Sequence, residues 1–434
     1  MGDEECEIQV IKLDIECELR FEIENKNETV DLELKTGLAE IFGTEMVKRK
    51  PYHFTTGAKI AVFTYHGCLI QLKGRKNISY ISKETPMMTY LNCHTCLEKL
   101  RVKAEQEAGG GRGPVTMVVG PANVGKSTVC RILLNYAVRL GRRPIFVDLD
   151  TCQGSISVPG TMGAIVVAEA ASLEKGGFSQ QKPLVFNVGS VKIESNLPLC
   201  NIITSRLAEA VQKRQDFNKK ECVSGIIVNT ARWIKGDGYK HLCHAAHAFK
   251  VDVVLVLDQE RLYNELVRDL PKNVQVTLLP KSGGVVEKDQ SSRQETRDKR
   301  VREYFYGVSN PKGVGGTILH PHSFDVKWSD LKIFKIGGPS LPDSCMPLGM
   351  KAEDNIGHMT KLVAVQPGPN LLHHLLAVSC ASSAENVINT NVAGFICVTA
   401  VDTVKRTLTI LSPQPRPLPA KVLILSDIQF MDNN

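Results

Sequence analysis

The stretch GPANVGKST, Gly120–Thr128, constrains this 434-residue chain more than any other. It fits the pattern G-x-x-x-x-G-K-[ST] through Gly120, Gly125, Lys126 and Ser127. Its flanks supply the context that the pattern needs. PVTMVVG before it is a short apolar, β-branched run suited to a buried strand. TVCRILLNYAVRLG after it repeats apolar residues at helical spacing through Val129, Ile132, Leu133, Tyr136, Ala137 and Leu140. Strand, glycine-rich loop and helix together turn backbone N–H groups inward around phosphates, and the helix N-terminus adds positive potential. Lys126 is expected to reach the β- and γ-phosphates, and Ser127 to hold Mg²⁺.

A chain of 434 residues exceeds one ordinary core, so about three domains are expected. Hydrophobic residues at 43% and charged residues at 23% fit a globular protein. No apolar run approaches the length of a membrane span, and the acidic start MGDEECEIQV is unlike a secretory signal, so no membrane partner is expected. The 13 cysteines are scattered and odd in number, which favours reduced thiols in cytosol or nucleus over a disulfide framework. A net charge of +7 permits nucleic-acid binding without requiring it.

Three parts follow from the patterning. Residues 7–90 alternate in strand fashion (IQVIKLDIECELRFEIEN, TVDLELKTG, KIAVFTYHGCLIQLKG), which predicts a small β-sandwich or barrel. A helix over TYLNCHTCLEKLRVKAEQEAGGGRG then runs into a glycine-rich linker at Gly109–Gly113. From Pro114 to about residue 310, strands such as PIFVDLD, SGIIVNT and VDVVLVLD alternate with helical stretches, the pattern of a helix-covered parallel sheet. The remainder, with FDVKWSDLKIFKIG, AGFICVTAVD and TLTILSP, predicts another β-rich unit. The fold class is thus α/β. A central phosphate-loop domain, 109–310, lies between a β-sandwich-like unit, 1–108, and a β-rich α+β unit, 311–434.

Several constellations in the central part carry chemistry. RRPIFVDLD ends a strand with Asp148 and Asp150 on one face. An acid at the carboxyl end of a strand beside a phosphate loop positions Mg²⁺ or accepts a proton from an attacking hydroxyl, and two solvated turn acids are the bland alternative. Asp150, nearest the loop TCQGS, is the better candidate. Trp233 in IIVNTARWIKGDGYK is either a packing anchor or an aromatic that stacks on a nucleobase. In EKDQSSRQETRDKRVREYF, Arg293 and Arg297 stand at i and i+4. They belong either to a solvated, salt-bridged helix or to a lid that closes over a γ-phosphoryl group. Cys93 and Cys96 have zinc-like spacing but lack a second pair with matching spacing, and His241, His244 and His247 read as a helical stripe.

The residues resemble those of the eukaryotic polyribonucleotide 5′-hydroxyl kinase family, the RNA kinase subunit of pre-mRNA cleavage and tRNA-splicing endonuclease complexes. The resemblance spans nearly the whole chain through ELRFE, LAEIFGTE, GAKIAVFTYHGC, VGKSTVCRILLNYAVRLGRRP, QGSISVPGTMGA, VDVVLVLDQERLYNEL, LPKSGGVVE, REYFYG, LSPQPRPLP and FMD. It implies transfer of the γ-phosphate of ATP to the 5′-hydroxyl of RNA, with Mg²⁺. Glu18 and Lys59 match residues that hold the ATP base region. Asn123, Val124, Gly125, Lys126, Ser127 and Thr128 match the phosphate loop. Asp150 matches the acid that activates the RNA 5′-hydroxyl, Thr230 and Trp233 match a substrate clasp, and Arg293 and Arg297 match the lid. A nuclear location follows from the resemblance alone.

Two positions depart from the family pattern. Cys152 replaces the glycine of D-x-x-G-Q, and Arg232 replaces the glycine before the clasp tryptophan. The cysteine Cβ could crowd the RNA backbone, and Arg232 could add a phosphate contact. Neither removes a group that the chemistry demands. The main competing expectation is a catalytically silent ATP-binding scaffold, which characteristically loses loop, acid or lid residues that are all present here. A GTPase is disfavoured, because no guanine-reading N-K-x-D string occurs.

Overall fold

A computed structural model describes residues 8–25, 28–107, 111–174, 176–179, 182–308, 317–338 and 359–432. The glycine-rich linker read at Gly109–Gly113 falls partly outside them.

The alternating segments of the first part pair as two facing sheets. One holds Ile8–Leu13, Cys68–Gly74, Thr29–Gly37 and Pro51–Thr55, and the other centres on Cys17–Glu22 and Lys59–Thr64. Period-two burial puts Val30, Leu32 and Leu34 from one sheet against Leu19, Phe21 and Val62 from the other.

Helix α1 (Met87–Gln106) buries Tyr90, Leu97, Arg101 and Ala104 at helical spacing. Although chain order places α1 with the first unit, that stripe lies in the same core as α2 (Lys126–Arg139). Arg101 is 1% exposed, donates from Nε to the Ser224 carbonyl at 2.9 Å and pairs with Glu98. The helix therefore belongs energetically to the central layer.

The central sheet has seven strands, of which Ile145–Asp148, Ile226–Asn229, Val115–Val119, Val253–Leu257 and Gln275–Leu279 run parallel. Thr161–Val166 and then Leu184–Asn187 extend it through antiparallel pairings, with Thr161–Val166 reversed, which the parallel-sheet expectation did not include. Alternate strand residues face opposite layers. Val118, Ile227 and Leu255 meet α2, whereas Met117, Val228 and Val254 meet α3 (Leu197–Phe217), α4 (Asp237–Ala248) and α5 (Glu260–Asp269). His241, on α4, donates from Nδ1 to Asn201 Oδ1 of α3 at 2.7 Å, so this end of the histidine stripe is a helix–helix contact.

The last unit is another seven-stranded sheet, mostly antiparallel, with short 3₁₀ turns at Trp328–Asp330, Pro369–Leu371 and Ala384–Asn386. It seats the C-terminal end of α6 (Gln290–Tyr306), where Phe305 stacks on Phe430 and the Tyr304 hydroxyl accepts from the Phe395 N–H.

A buried polar knot ties the first unit to α2. Tyr136 donates to Glu40 at 2.5 Å and shares a 2.8 Å hydrogen bond with Tyr65, and Arg139 pairs with Glu40. Burial, opposed by Tyr136 and Arg139, raises the Glu40 carboxyl. Tyr136→Phe removes one partner and leaves the buried acceptor short. It is expected to cost about 1–3 kcal/mol, read as a lower midpoint in urea without a change of slope.

Candidate active site

The fully buried strand Val115–Val119 delivers the chain to Gly120, at a point where the neighbouring strands lie to either side. Gly120 has φ +153°, and a Cβ there would meet the Leu257 carbonyl at 2.9 Å, so no larger residue fits. Gly125, at φ +88°, turns the chain into α2. Asn123 also takes positive φ, Val124 sinks its side chain into the core, and Thr128 borders the cavity. Lys126 is 9% exposed and donates to the carbonyls of Gly120 at 2.8 Å and Pro121 at 2.7 Å. Burial lowers its ammonium to about 8, with Asp150 opposing the shift.

The two acids divide their work. Asp148 ends its strand and is enclosed: it accepts from the Asp150 N–H at 3.0 Å, from Asn229 Nδ2 at 2.9 Å and from Ser155. Asp150 instead borders the cavity, with its Oδ1 held by the Cys152 N–H at 3.1 Å. Burial raises both carboxyls above the usual range, and Lys126 and Arg232 draw Asp150 back down. Asp148 thus shapes the turn, and Asp150 is the group presented. Asn229 links this turn to the phosphate loop, since its Nδ2 also reaches the Ser127 hydroxyl at 3.5 Å. That role escaped the sequence reading, although an asparagine at the carboxyl end of the strand next to the loop was the available signal.

The cavity in front of the loop is about 350 Å³. The first unit closes one side of it with Glu18, Arg20, Lys59 and Tyr80. Glu18 is buried against Arg20 at 3.3 Å, and Lys59 pairs with Glu22 at 2.9 Å. Arg20 also reaches Ser282 at 3.4 Å, and a Cβ on Gly284 would come within 2.7 Å of its Nε. The glycines of KSGGVV thus let this loop lie against the first unit, a contact between residues far apart in sequence.

Arg293 and Arg297 stand on the cavity wall from the exposed N-terminal half of α6, whose other end is anchored on the last sheet. Arg293 Nη2 donates to Asn123 Oδ1 at 2.9 Å, so the arginine helix already touches the phosphate loop. Arg297 bonds Gln294 at 2.6 Å. Arg131 and Lys288 join them, neither singled out by the sequence. Arg131 lies 4.6 Å from the Phe42 ring centre, and burial lowers it to about 10. Lys288 is lowered by burial and then by Lys59, Arg293, Arg300 and Arg131. Cations that depress one another in a shared cavity fit a polyanion, and a triphosphate answers that need. For Mg²⁺, Ser127 and Asp150 offer hard oxygen donors beside the same loop.

The clasp differs from expectation. The Thr230 side chain turns inward, is 1% exposed and donates to the Val118 carbonyl at 2.8 Å, so it fastens the end of its strand to the phosphate-loop strand. Trp233 lies outside the cavity wall, half-buried, with its ring so close to Gly238 that a Cβ there would come within 2.5 Å. Between them Arg232 is exposed and borders the cavity, as does Cys152. The Cys152 thiol donates to the Val191 carbonyl at 3.2 Å, and burial raises it to about 11, which leaves it un-ionised. A more open groove of about 500 Å³ in the last sheet, bordered by Lys327, Trp328 and Arg406, shares no residue with this site.

A glycine-turned loop, a buried lysine and an acid at the carboxyl edge of a parallel sheet define a phosphate-loop nucleotide-binding protein equipped for phosphoryl transfer. Comparison with known proteins sharpens that class. Residues 120–307 match the family described as mRNA cleavage and polyadenylation factor CLP1 P-loop. Residues 319–432 match the pre-mRNA cleavage complex II protein Clp1 family, and 12–104 match the N-terminal beta-sandwich domain of polyadenylation factor. The Anopheles gambiae protein named Protein CLP1 homolog is 60% identical over 98% of this chain and 97% of its own. The Gallus gallus polyribonucleotide 5′-hydroxyl-kinase Clp1 is 56% identical over 99% of this chain and 98% of its own, and the Homo sapiens protein of that name is 56% identical over 97% and 96%. The chain belongs to the Clp1 family. Its fold matches that of Clp1p, solved in complex with a Pcf11p segment, at a TM-score of 0.83 and 24% identity over 99% of both chains.

Proposed function

We propose that this chain is an ATP-dependent RNA 5′-hydroxyl kinase. The observation that carries the reading is the cavity that joins Lys126, Asp150, Arg293 and Arg297 on one side to Glu18 and Lys59 on the other. Phosphoryl transfer needs positioning and charge neutralisation more than covalent help. The loop amides and Lys126 hold the ATP phosphates, and Glu18 and Lys59 face the base end. The RNA 5′-oxygen attacks the γ-phosphorus in line, its bond forms as the bond to the ADP oxygen breaks, and Asp150 takes the hydroxyl proton. Arg293 and Arg297 neutralise the phosphoryl oxygens during transfer. Ser127 and Asp150 would hold Mg²⁺, which when bound supplies further positive charge to the phosphate oxygens.

Work in pre-mRNA 3′-end cleavage and in tRNA splicing, as a subunit of the corresponding nuclear complexes, extends the same proposal. Its support is the family and the resemblance of the sequence. Incubation of purified protein with labelled ATP and a 5′-hydroxyl RNA oligonucleotide should yield labelled RNA. ATP binding with no transfer would leave a silent scaffold as the function.

Two substitutions separate lid from clasp. Arg293→Ala should lower kcat by about 10²-fold or more, with little change in RNA affinity, because its charge is needed chiefly as the γ-phosphoryl moves. Trp233→Ala should raise the KM for RNA by an amount consistent with about 1–3 kcal/mol of lost stacking on a terminal base. Steady-state kinetics over a range of RNA concentrations distinguish the two. If Trp233→Ala only lowers the melting temperature, the ring contact with Gly238 is its whole role.

A further inference from the structure

We propose that Arg232 binds the first internucleotide phosphate of the acceptor strand, which makes it a specificity determinant for polynucleotide acceptors. The inference rests on the RNA-kinase reading and names the part of the acceptor that this side chain meets.

The loop that carries Arg232 is fixed on both sides. Thr230 is hydrogen-bonded to the Val118 carbonyl at 2.8 Å, and Ala231 is 8% exposed. Trp233 is wedged against Gly238. Between these anchors Arg232 stands exposed on the cavity wall, and among the described residues it makes no hydrogen bond or ion pair. It lines the same cavity as Asp150 and Cys152, and its charge acts on both. Arg293 and Arg297 come from a separate helix, and Arg293 is tied to Asn123 of the phosphate loop at 2.9 Å. In the proposed kinase reading those cations act on the transferring phosphoryl group, which leaves Arg232 without a role there.

The acceptor has an electrostatic need of its own. A polynucleotide that offers its 5′-hydroxyl to Asp150 brings a phosphodiester anion one nucleotide away. Next to a buried carboxylate that anion is repelled, and the repulsion is strong because the site is poorly hydrated. A cation on an anchored loop beside the acid offsets it. The planar guanidinium fork, with free N–H groups, suits the two non-bridging oxygens of a phosphodiester, and little freedom is lost on binding because the loop is already held.

The test uses three 5′-hydroxyl oligoribonucleotides: one unmodified, one with a neutral methylphosphonate at the first linkage, and one with it at the fourth. For the parent protein, the first-linkage change should raise the RNA KM roughly 10- to 100-fold, and the fourth-linkage change should matter little. Arg232→Ala should raise the KM for unmodified RNA by a similar factor, keep the KM for ATP, and no longer respond to the first-linkage change. Arg232→Lys should recover part of the loss. Full sensitivity to the first linkage in Arg232→Ala, or a loss confined to kcat, would overturn the assignment. Anisotropy with the same oligonucleotides reads the contact without turnover. Coupling of Arg232 to the first linkage in a protein that transfers no phosphate would retain the contact and remove the kinase; transfer without coupling would do the reverse.

Discussion

Lys126→Ala should abolish phosphoryl transfer, a fall of about 10³-fold or more in kcat, while the melting temperature stays close to that of the parent. The side chain is buried, yet its partners are two carbonyls of its own loop, Gly120 and Pro121. Nothing in the hydrophobic core depends on it. Its ammonium is lowered to about 8 from 10.5, so burial of the charge costs stability in full below the folded value, and the cost is gone above the unfolded one. At neutral pH the substitution removes that cost together with two hydrogen bonds, and the effects oppose each other. Thermal melts and single-turnover assays on one preparation check both halves. Near-normal transfer by a variant with an unchanged melt would overturn the role of Lys126 at the transferring phosphate.

Asp150→Asn should reduce kcat by roughly 10²–10³-fold and leave the ATP dissociation constant within several-fold of the parent, because the lost proton acceptor acts in the transition state. The carboxamide keeps the size of the group and can still accept the Cys152 N–H bond, so the turn should persist. Asp148→Asn is the informative contrast. Asp148 is enclosed by Ser155, Asn229 and the Asp150 N–H, so its loss should act through the shape of the turn and lower stability as well as turnover. If Asp150→Asn stays within about threefold of the parent while Asp148→Asn is silent in transfer, the two roles are exchanged.

Local chemistry made part of this legible. The phosphate loop could be read from the chain because strand, glycines, lysine and helix are contiguous, and their geometry follows from backbone sterics over a dozen residues or so. Period-two and helical alternation likewise showed the β-rich flanks and the α/β centre. The α6 arginines were visible for the same reason, since residues four apart share a helical face. Alternation does not reveal strand direction, and the antiparallel pairings at the sheet edge, through Thr161–Val166 and Leu184–Asn187, were not part of the parallel-sheet reading.

The sequence by itself determined that this chain turns a glycine loop around phosphates between a buried strand and a helix, and that acids and arginines stand nearby. Tertiary structure decided which of them face the cavity. Thr230 and Arg232 are two residues apart, yet one is tied to Val118 in the sheet and the other borders the site, because the chain turns outward after its strand ends at Asn229. Asp148 and Asp150 part in the same way, one enclosed by Asn229 and Ser155 and the other presented beside Lys126. Arg20, Arg131 and Lys288 carry no motif. They meet at the cavity because a strand, a helix and a loop, far apart along the chain, pack where burial and charge complementarity favour them, and local sequence does not encode that meeting.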